Sequence, residues 1–328
     1  MKIFISGATG FIGSRLALRL ASDGHQVHAL YRDENKTLLI QHPNIKLFKG
    51  DILDCQSLEV AVEGCSQIYH AAAFARVWAK DHYLIYRLNI EGTMNVVKAG
   101  IHAGVKRIVC TSTAGILGPS LPGQIVDENT SRPAEYFIDY ECSKKIMEEI
   151  LNAFSLTGVE IVIVNPSRVY GPGVLSNSNG VTRIMQRYIQ GKWKIIPGSG
   201  ESIGNYVYVD DVVAGHILAM DKGRSGEQYI LGGTNMSYNQ LFRDLAEVTG
   251  QKFFMIHIPI SICFLISVIM LFIARITGRA PLITPALIRK YNHNWNISSS
   301  KAEKELNYQP VNFKTGATLT HNWLKKLK

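Results

Sequence analysis

Lys2-Ile-Phe-Ile-Ser6-Gly7-Ala-Thr9-Gly10-Phe11-Ile12-Gly13 is the stretch that decides the fold. Residues 2–6 form a short apolar run that ends at a glycine, the pattern of a buried strand. From Phe11 to about Ser22, the apolar residues Phe11, Ile12, Leu16 and Leu20 recur at helical spacing. A strand, a glycine turn and a helix N-terminus in that order make a cradle for phosphate. The glycines let backbone N–H groups come close, and the helix dipole favours negative charge. The spacing is G-x-x-G-x-x-G rather than the commoner G-x-G-x-x-G. Three glycines carry little weight in a chain with 28 of them. Set directly behind a clean strand, they point to a dinucleotide pyrophosphate held by Gly7, Thr9, Gly10, Phe11, Ile12 and Gly13.

The opening pattern repeats. Candidate strands near 26–31, 46–49, 67–70, 107–112 and 159–164 alternate with segments of helical spacing. Such alternation predicts an α/β fold with a doubly wound parallel sheet. In that architecture a cofactor lies past the carboxyl ends of the strands. After the second run the chain reads Leu30-Tyr31-Arg32-Asp33. A cation there suits the 2′-phosphate of NADP, and an acid there suits the ribose of NAD. Arg32 comes first and favours NADP(H), while Asp33 keeps NAD(H) open. Asp51, followed by Ile52, stands where a carboxylate can reach the adenine amino group. Ala71, Ala72 and Ala73 leave room for close approach.

A second motif suggests proton transfer. The strand at 107–110 runs into Thr111-Ser112-Thr113, and Tyr140-Glu-Cys-Ser-Lys144 follows. On a helix, Tyr140 and Lys144 are i and i+4 and share a face. A tyrosine with a pKa of ~10 is a poor acid or base at neutral pH. A nearby ammonium and a positive nicotinamide ring both lower that pKa. Tyr188-Ile-Gln-Gly-Lys192 has the same spacing. Its Gly191 marks a helix end, and no hydroxyl-rich strand end lies a comparable distance upstream. It is read as a chance match.

Together with Asn89-Ile-Glu-Gly-Thr93, Asn165-Pro-Ser-Arg-Val-Tyr-Gly-Pro172 and Tyr206-Val-Tyr-Val-Asp-Asp211, these motifs resemble the extended short-chain dehydrogenases/reductases over almost the whole chain. The resemblance implies a Rossmann domain at 1–165 and a smaller α/β substrate region at 166–328, some of whose elements return to the sheet. It implies Thr113, Tyr140 and Lys144 as the catalytic trio, with Asn89 supporting and Pro166 and Ser167 near the nicotinamide. It also implies a homodimer through helices 81–103 and 140–156. Thr113 stands where the family usually has serine, with Ser112 as the fallback. Tyr208 replaces the usual histidine and leaves Asp210 a structural part.

Composition limits the alternatives. The chain has 328 residues, 46% of them hydrophobic, enough for a full core. Five cysteines without a C-x-x-C exclude a disulfide framework and fit a reducing cytoplasm. Ten histidines show no metal-ligand spacing, so no metal is expected. Met1-Lys2 leads straight into the first strand and leaves no room for a signal peptide. The net charge of +9 lies entirely in 252–328, with 11 Lys+Arg and 2 Asp+Glu; the rest is balanced, which argues against nucleic acid. The basic part adjoins 253–274, a run with no charged residue. Three readings of that run are open: a buried helix, an anchor on the inner face of a membrane, or a crossing helix. Pro259 would start the helix, and Arg275, Arg279, Arg289 and Lys290 follow it closely. The stretch Pro166–Gly180 reads as a functional loop. Within the resembled family, an apolar element at this place goes with lipophilic substrates. The function expected is interconversion of a secondary alcohol and ketone on such a substrate, similar to 3β-hydroxysteroid dehydrogenases and dihydroflavonol reductases. A nucleotide-sugar epimerase or dehydratase is the alternative, and a non-catalytic NADP-binding regulator a third reading.

Overall fold

The structure is a computed structural model that describes residues 1–154, 158–176 and 179–327. Its strands are β1 (Lys2–Ser6), β2 (Gln26–Tyr31), β3 (Ile45–Lys49), β4 (Gln67–His70), β5 (Arg107–Thr111), β6 (Glu160–Pro166), β7 (Arg168–Tyr170), β8 (Ile195–Pro197), β9 (Ile203–Tyr208), β10 (Gln228–Leu231), β11 (Thr234–Ser237) and β12 (Ile256–Ile258). Seven of them form one parallel sheet in the order β10-β6-β5-β4-β1-β2-β3. The expected doubly wound sheet is therefore present. Ile3 and Ile5 pack into the core on one sheet face, and Phe4 into the core on the other. Burial on both faces is why β1 reads as a continuous apolar run rather than an alternating one. The strand order reverses between β1 and β4, which opens a crevice at their carboxyl ends.

The remaining strands make a second layer beside that crevice. β9 pairs with β7 in parallel and with β11 antiparallel, and β12 pairs with β8 in parallel. Helices Gly180–Ile189, Tyr238–Thr249 and Phe313–Lys326 pack here around Tyr170, Tyr206, Phe242 and Phe313. Parts of the later chain return to the first layer: β10 joins its sheet, and Ala302, Leu306 and Tyr308 join its core.

Two segments differ from expectation. Pro166–Gly180 is not all loop, because β7 lies inside it, with Arg168 paired to Tyr206. Three residues are too few for an alternation to register in sequence. In the uncharged run 253–274 the helix begins at Pro259 as expected, but the residues before it are not helix. Ile256–Ile258 forms strand β12, and Pro259 caps a helix at Ile260–Thr277 that ends at Gly278 in the left-handed conformation. Proline fixes φ and suits a helix start, and glycine adopts positive φ at a helix end without strain. This helix buries a narrow stripe of small side chains, Cys263, Ser267 and Ala274. It exposes Ile262, Leu265, Ile269, Phe272 and Ile276.

Candidate active site

Every expected cofactor residue on a loop lies just past the carboxyl end of a sheet strand. Gly7 has a φ of +73°, and a Cβ there would stand 2.6 Å from Ala72 N. A Cβ on Gly13 would collide with the Gly7 carbonyl oxygen. These two positions admit only glycine, and the turn they form delivers the N-terminus of helix Phe11–Ser22. Gly10 gives that helix no side-chain cap and the first turn holds no acid, so its outward N–H groups remain for an anion. Thr9 and Ile12 are half-buried and Gly10 is exposed at the turn. Phe11 is buried, with its ring beside Gly173, so it offers the crevice only backbone. Ala71 and Ala72 line the turn and Ala73 is exposed. Pro166 is buried; Ser167 follows it, and its Oγ is buried with no hydrogen-bond partner. An orphaned hydroxyl at the nicotinamide position, a glycine-only turn and an uncapped helix start together fit a bound dinucleotide.

The adenosine end differs in detail. Arg32 and Asp51, expected to act separately, meet at 3.2 Å, with the arginine side chain 65% exposed. Asp33 caps the 3₁₀ turn Glu34–Ile40 by accepting from Asn35 N on Oδ1. The Ile52 side chain lies in the core and its carbonyl accepts from Asn95, so it faces the crevice with its backbone N–H alone.

The proton-transfer residues come from three elements. Thr113 follows β5 and accepts from Gly115 N at 3.1 Å, leaving its own hydroxyl proton to donate elsewhere. Ser112 is buried, so Thr113 is the more open hydroxyl. Tyr140 and Lys144 share helix Asp139–Phe154. The protein's own groups act on both members of this pair. Burial, and then the charge of Glu141, push the Tyr140 phenol above its usual pKa. The Lys144 ammonium is turned to the Thr111 carbonyl at 2.7 Å, and burial pulls its pKa down to about 8. Activation of the phenol therefore needs positive charge beyond Lys144.

Asn89 supports this helix from within a π-helical turn, Arg87–Glu91, which interrupts the expected helix 81–103. It accepts from Phe74 N at 2.7 Å and donates to Ser143 Oγ at 2.9 Å; Ser143 in turn donates to the Tyr140 carbonyl. The other end of the chain of bonds reaches β1. Thr93 Oγ1 donates to the Asn89 carbonyl and meets His70 Nε2 at 2.8 Å, and His70 Nδ1 meets Ser6 Oγ at 2.6 Å. Burial pulls His70 down to about 3, so it is neutral. With Thr93 donating onward, His70 must carry its proton on Nε2 and accept from Ser6. One continuous network thus ties the glycine turn to the tyrosine helix.

The chance match falls away: Tyr188 is buried and donates to the Gln251 carbonyl, while Lys192 is exposed beyond the helix end. Asp210 forks onto Arg15 at 2.5 and 2.8 Å, and Asp211 accepts from Val311 N, both structural contacts. Four charged residues were not expected at the site: Glu141, Arg132, Arg168 and Lys290. Glu141 is wholly buried between Lys290 (2.8 Å) and Arg132 (3.5 Å). Arg168 lies among the rings of Tyr206, Tyr238 and Tyr291. It forms no ion pair among the described residues, and one terminal nitrogen is buried without a hydrogen bond. Only its place in the Asn165–Pro172 motif could have marked Arg168; Lys290 carries no sequence signal.

Known proteins share this chain's family and fold. The family model of the NAD dependent epimerase/dehydratase family matches residues 3–232. The chain is 29% identical to sterol demethylase protein B of Methylococcus capsulatus, over 99% of each chain. It is 26% identical to a 3 beta-hydroxysteroid dehydrogenase/Delta 5→4-isomerase of Mycobacterium tuberculosis, over 97% of this chain and 88% of that one. UDP-glucose 4-epimerase of Thermotoga maritima has the same fold, with a TM-score of 0.83 and 24% identity over 100% and 99% of the two chains. From the glycine turn through β10, the chain belongs to the NAD dependent epimerase/dehydratase family, and it is an enzyme of the extended short-chain dehydrogenase/reductase class.

Proposed function

We propose that this enzyme interconverts a secondary alcohol and a ketone on a lipophilic substrate, steroid-, flavonoid- or acyl-like, drawn from an anionic membrane surface. The observation that carries this reading is helix Ile260–Thr277. It is long and apolar enough to cross a membrane, yet it buries only Cys263, Ser267 and Ala274. A helix whose protein-facing stripe is small and whose outer face is large and apolar suits lipid better than water. Arg275, Arg279 and Arg289 are exposed around it, and no acid occurs in residues 248–302. Lys290 is removed from the lipid-facing set, because it pairs inward with Glu141. The relatives named for sterol and steroid chemistry support the substrate class.

In this reading NADP(H) is the preferred cofactor and supplies or accepts the hydride. Arg32 takes the 2′-phosphate once it leaves or shares Asp51. Tyr140 gives its proton to the substrate oxygen in reduction and takes it back in oxidation. Thr113 orients that oxygen, Lys144 contributes positive charge, and Asn89 holds the helix in place. Helices Gly92–His102 and Asp139–Phe154 are the proposed homodimer contact, which sedimentation as a strict monomer would refute.

A nucleotide-sugar epimerase or dehydratase is the second reading, and Arg168 favours it. A buried guanidinium without a carboxylate suits an anionic substrate group. The deciding experiment offers the purified protein NADPH with lipophilic ketones, and separately UDP- and dTDP-sugars. NADPH oxidation by the ketones supports the first reading. Turnover of the sugars alone transfers the assignment to the second.

A further inference from the structure

Helix Pro285–Asn292 places one charged side chain against the catalytic segment. Thr284 caps it through Leu287 N, and Leu287 and Ile288 are buried, so its rotation is set. Arg289 stays outside, over the Phe264 ring, and Tyr291 covers Arg168. Lys290 turns inward to 2.8 Å from Glu141 Oε1, with its side chain 15% exposed. Gly115 marks the meeting point. A Cβ there would lie 3.1 Å from Glu141 Oε1, 3.2 Å from Thr113 Oγ1 and 3.3 Å from Lys290 Nζ. A hydroxyl, a carboxylate and an ammonium from three separate elements therefore surround one point, and Glu141 directly follows Tyr140.

We propose that Lys290 is a positioning residue of the active site, whose charge offsets Glu141 so that Tyr140 can exchange its proton. The inference rests on Tyr140 being the acid/base of the proposed function. A phenolate beside an uncompensated buried carboxylate places two negative charges together, which raises the pKa of the phenol. Burial and Glu141 act in that direction here. The other charged or titratable groups near Tyr140 are committed. Asp139, its helix neighbour, binds His82 and Tyr86 from the segment before it. Lys144 donates to the Thr111 carbonyl. Arg132, stacked on Tyr136, donates to the carbonyls of Ala134, Gly115 and Glu135, and reaches the far oxygen of Glu141 only at 3.5 Å. Lys290 is the nearer cation and comes from a different part of the fold. The position of helix Pro285–Asn292 thus sets the charge beside the reacting phenol.

The test is the pH profile of kcat/KM for alcohol oxidation with NADP⁺ and a sterol-type secondary alcohol. UDP-glucose replaces the sterol if only sugar nucleotides turn over, since both reactions begin with proton loss to Tyr140. Lys290→Met should move the rising limb about one pH unit to the alkaline side, with about tenfold lower activity at neutral pH and the alkaline plateau retained. The sign follows from charge: with the cation gone, the phenolate forms only at higher pH. Lys290→Arg should restore the profile, and Glu141→Gln added to Lys290→Met should reverse the shift. A uniform loss of rate with an unmoved midpoint, or a shift that Glu141→Gln leaves in place, would overturn the proposal. Tyr140→Phe separates the two failures: if it keeps its turnover, the catalytic reading falls first. Circular dichroism and NADPH fluorescence titration establish that each variant folds and binds.

Discussion

The carboxyl edge of the parallel sheet and the outer face of helix Ile260–Thr277 are surfaces of opposite chemistry. At the sheet edge the side chains are small or absent, and polar groups such as Ser167 Oγ are left without partners. On the helix the side chains are large and apolar, with Leu265, Phe272 and Ile276 each at least 60% exposed. The first surface suits a ligand made of phosphates and rings that hydrogen-bond to backbone. The second suits a medium with no hydrogen-bonding demand. A charge-bearing helix, Pro285–Asn292, lies between them, with Arg289 over Phe264 on one side and Lys290 on Glu141 on the other. Local chemistry can therefore be specialised surface by surface, while the link between surfaces is made by an element that belongs to neither motif.

If the two regions have the separate roles assigned to them, substitutions in one should spare the other. The largest effect is expected at Tyr140. Tyr140→Phe should lower turnover 10²-fold or more, the usual scale of acid–base catalysis, with NADPH affinity and liposome binding unchanged. Tyr188→Phe should leave kcat nearly intact, and steady-state kinetics on both variants would expose a mistaken choice between the two motifs.

Next is the helix face. Changing Leu265, Ile269 and Phe272 together to serine should nearly abolish flotation with anionic liposomes. Each fully buried side chain contributes about 1.5–3 kcal/mol, less here because insertion is partial. The same variant should keep its thermal stability, because these side chains are already exposed. Wild-type binding should weaken with added salt, since about 1 kcal/mol per cation near the surface is electrostatic. Flotation onto neutral and anionic vesicles alike would remove the charge argument.

Acid should act on the sheet region and leave the helix face alone. Burial holds His70 down to about 3 and His216 to about 4, both neutral in the fold. The unfolded chain takes up these protons near pH 6.5, so folding stability is full above that value and falls as pH drops below it. At pH 5 the loss is about 2 kcal/mol per histidine. Urea titrations at pH 7.5 and pH 5 would measure it. His216→Asn should flatten the dependence, and an unchanged slope in that variant would assign the acid sensitivity elsewhere.

The smallest effect concerns cofactor choice. NADPH should bind at least about tenfold tighter than NADH, about 1.4 kcal/mol, and Arg32→Ala should erase most of that gap. Equal affinities in the unmutated enzyme, measured by fluorescence titration, would return Asp51 and Asp33 to consideration.

What the sequence determined by itself was local or periodic. Gly7, Gly10 and Gly13 sit within one turn, Tyr140 and Lys144 within one turn of helix, and the first strand is a short apolar run directly before the glycines. Such features depend on spacing along the chain, which the residues carry with them. Tertiary structure decided whatever depended on facing a distant segment. Pro259 marks the helix start in the sequence, but Ile256–Ile258 before it became a strand because β8 offered an edge to pair with. Burial and Glu141 push the Tyr140 phenol up, and the fold turns Lys144 to the Thr111 carbonyl, neither of which the spacing of Tyr140 and Lys144 could show. Lys290, 149 positions after Glu141 in the chain, became its nearest cation by the docking of one short helix. A charge acts through distance in space and through the water excluded around it, and neither is written in the order of residues.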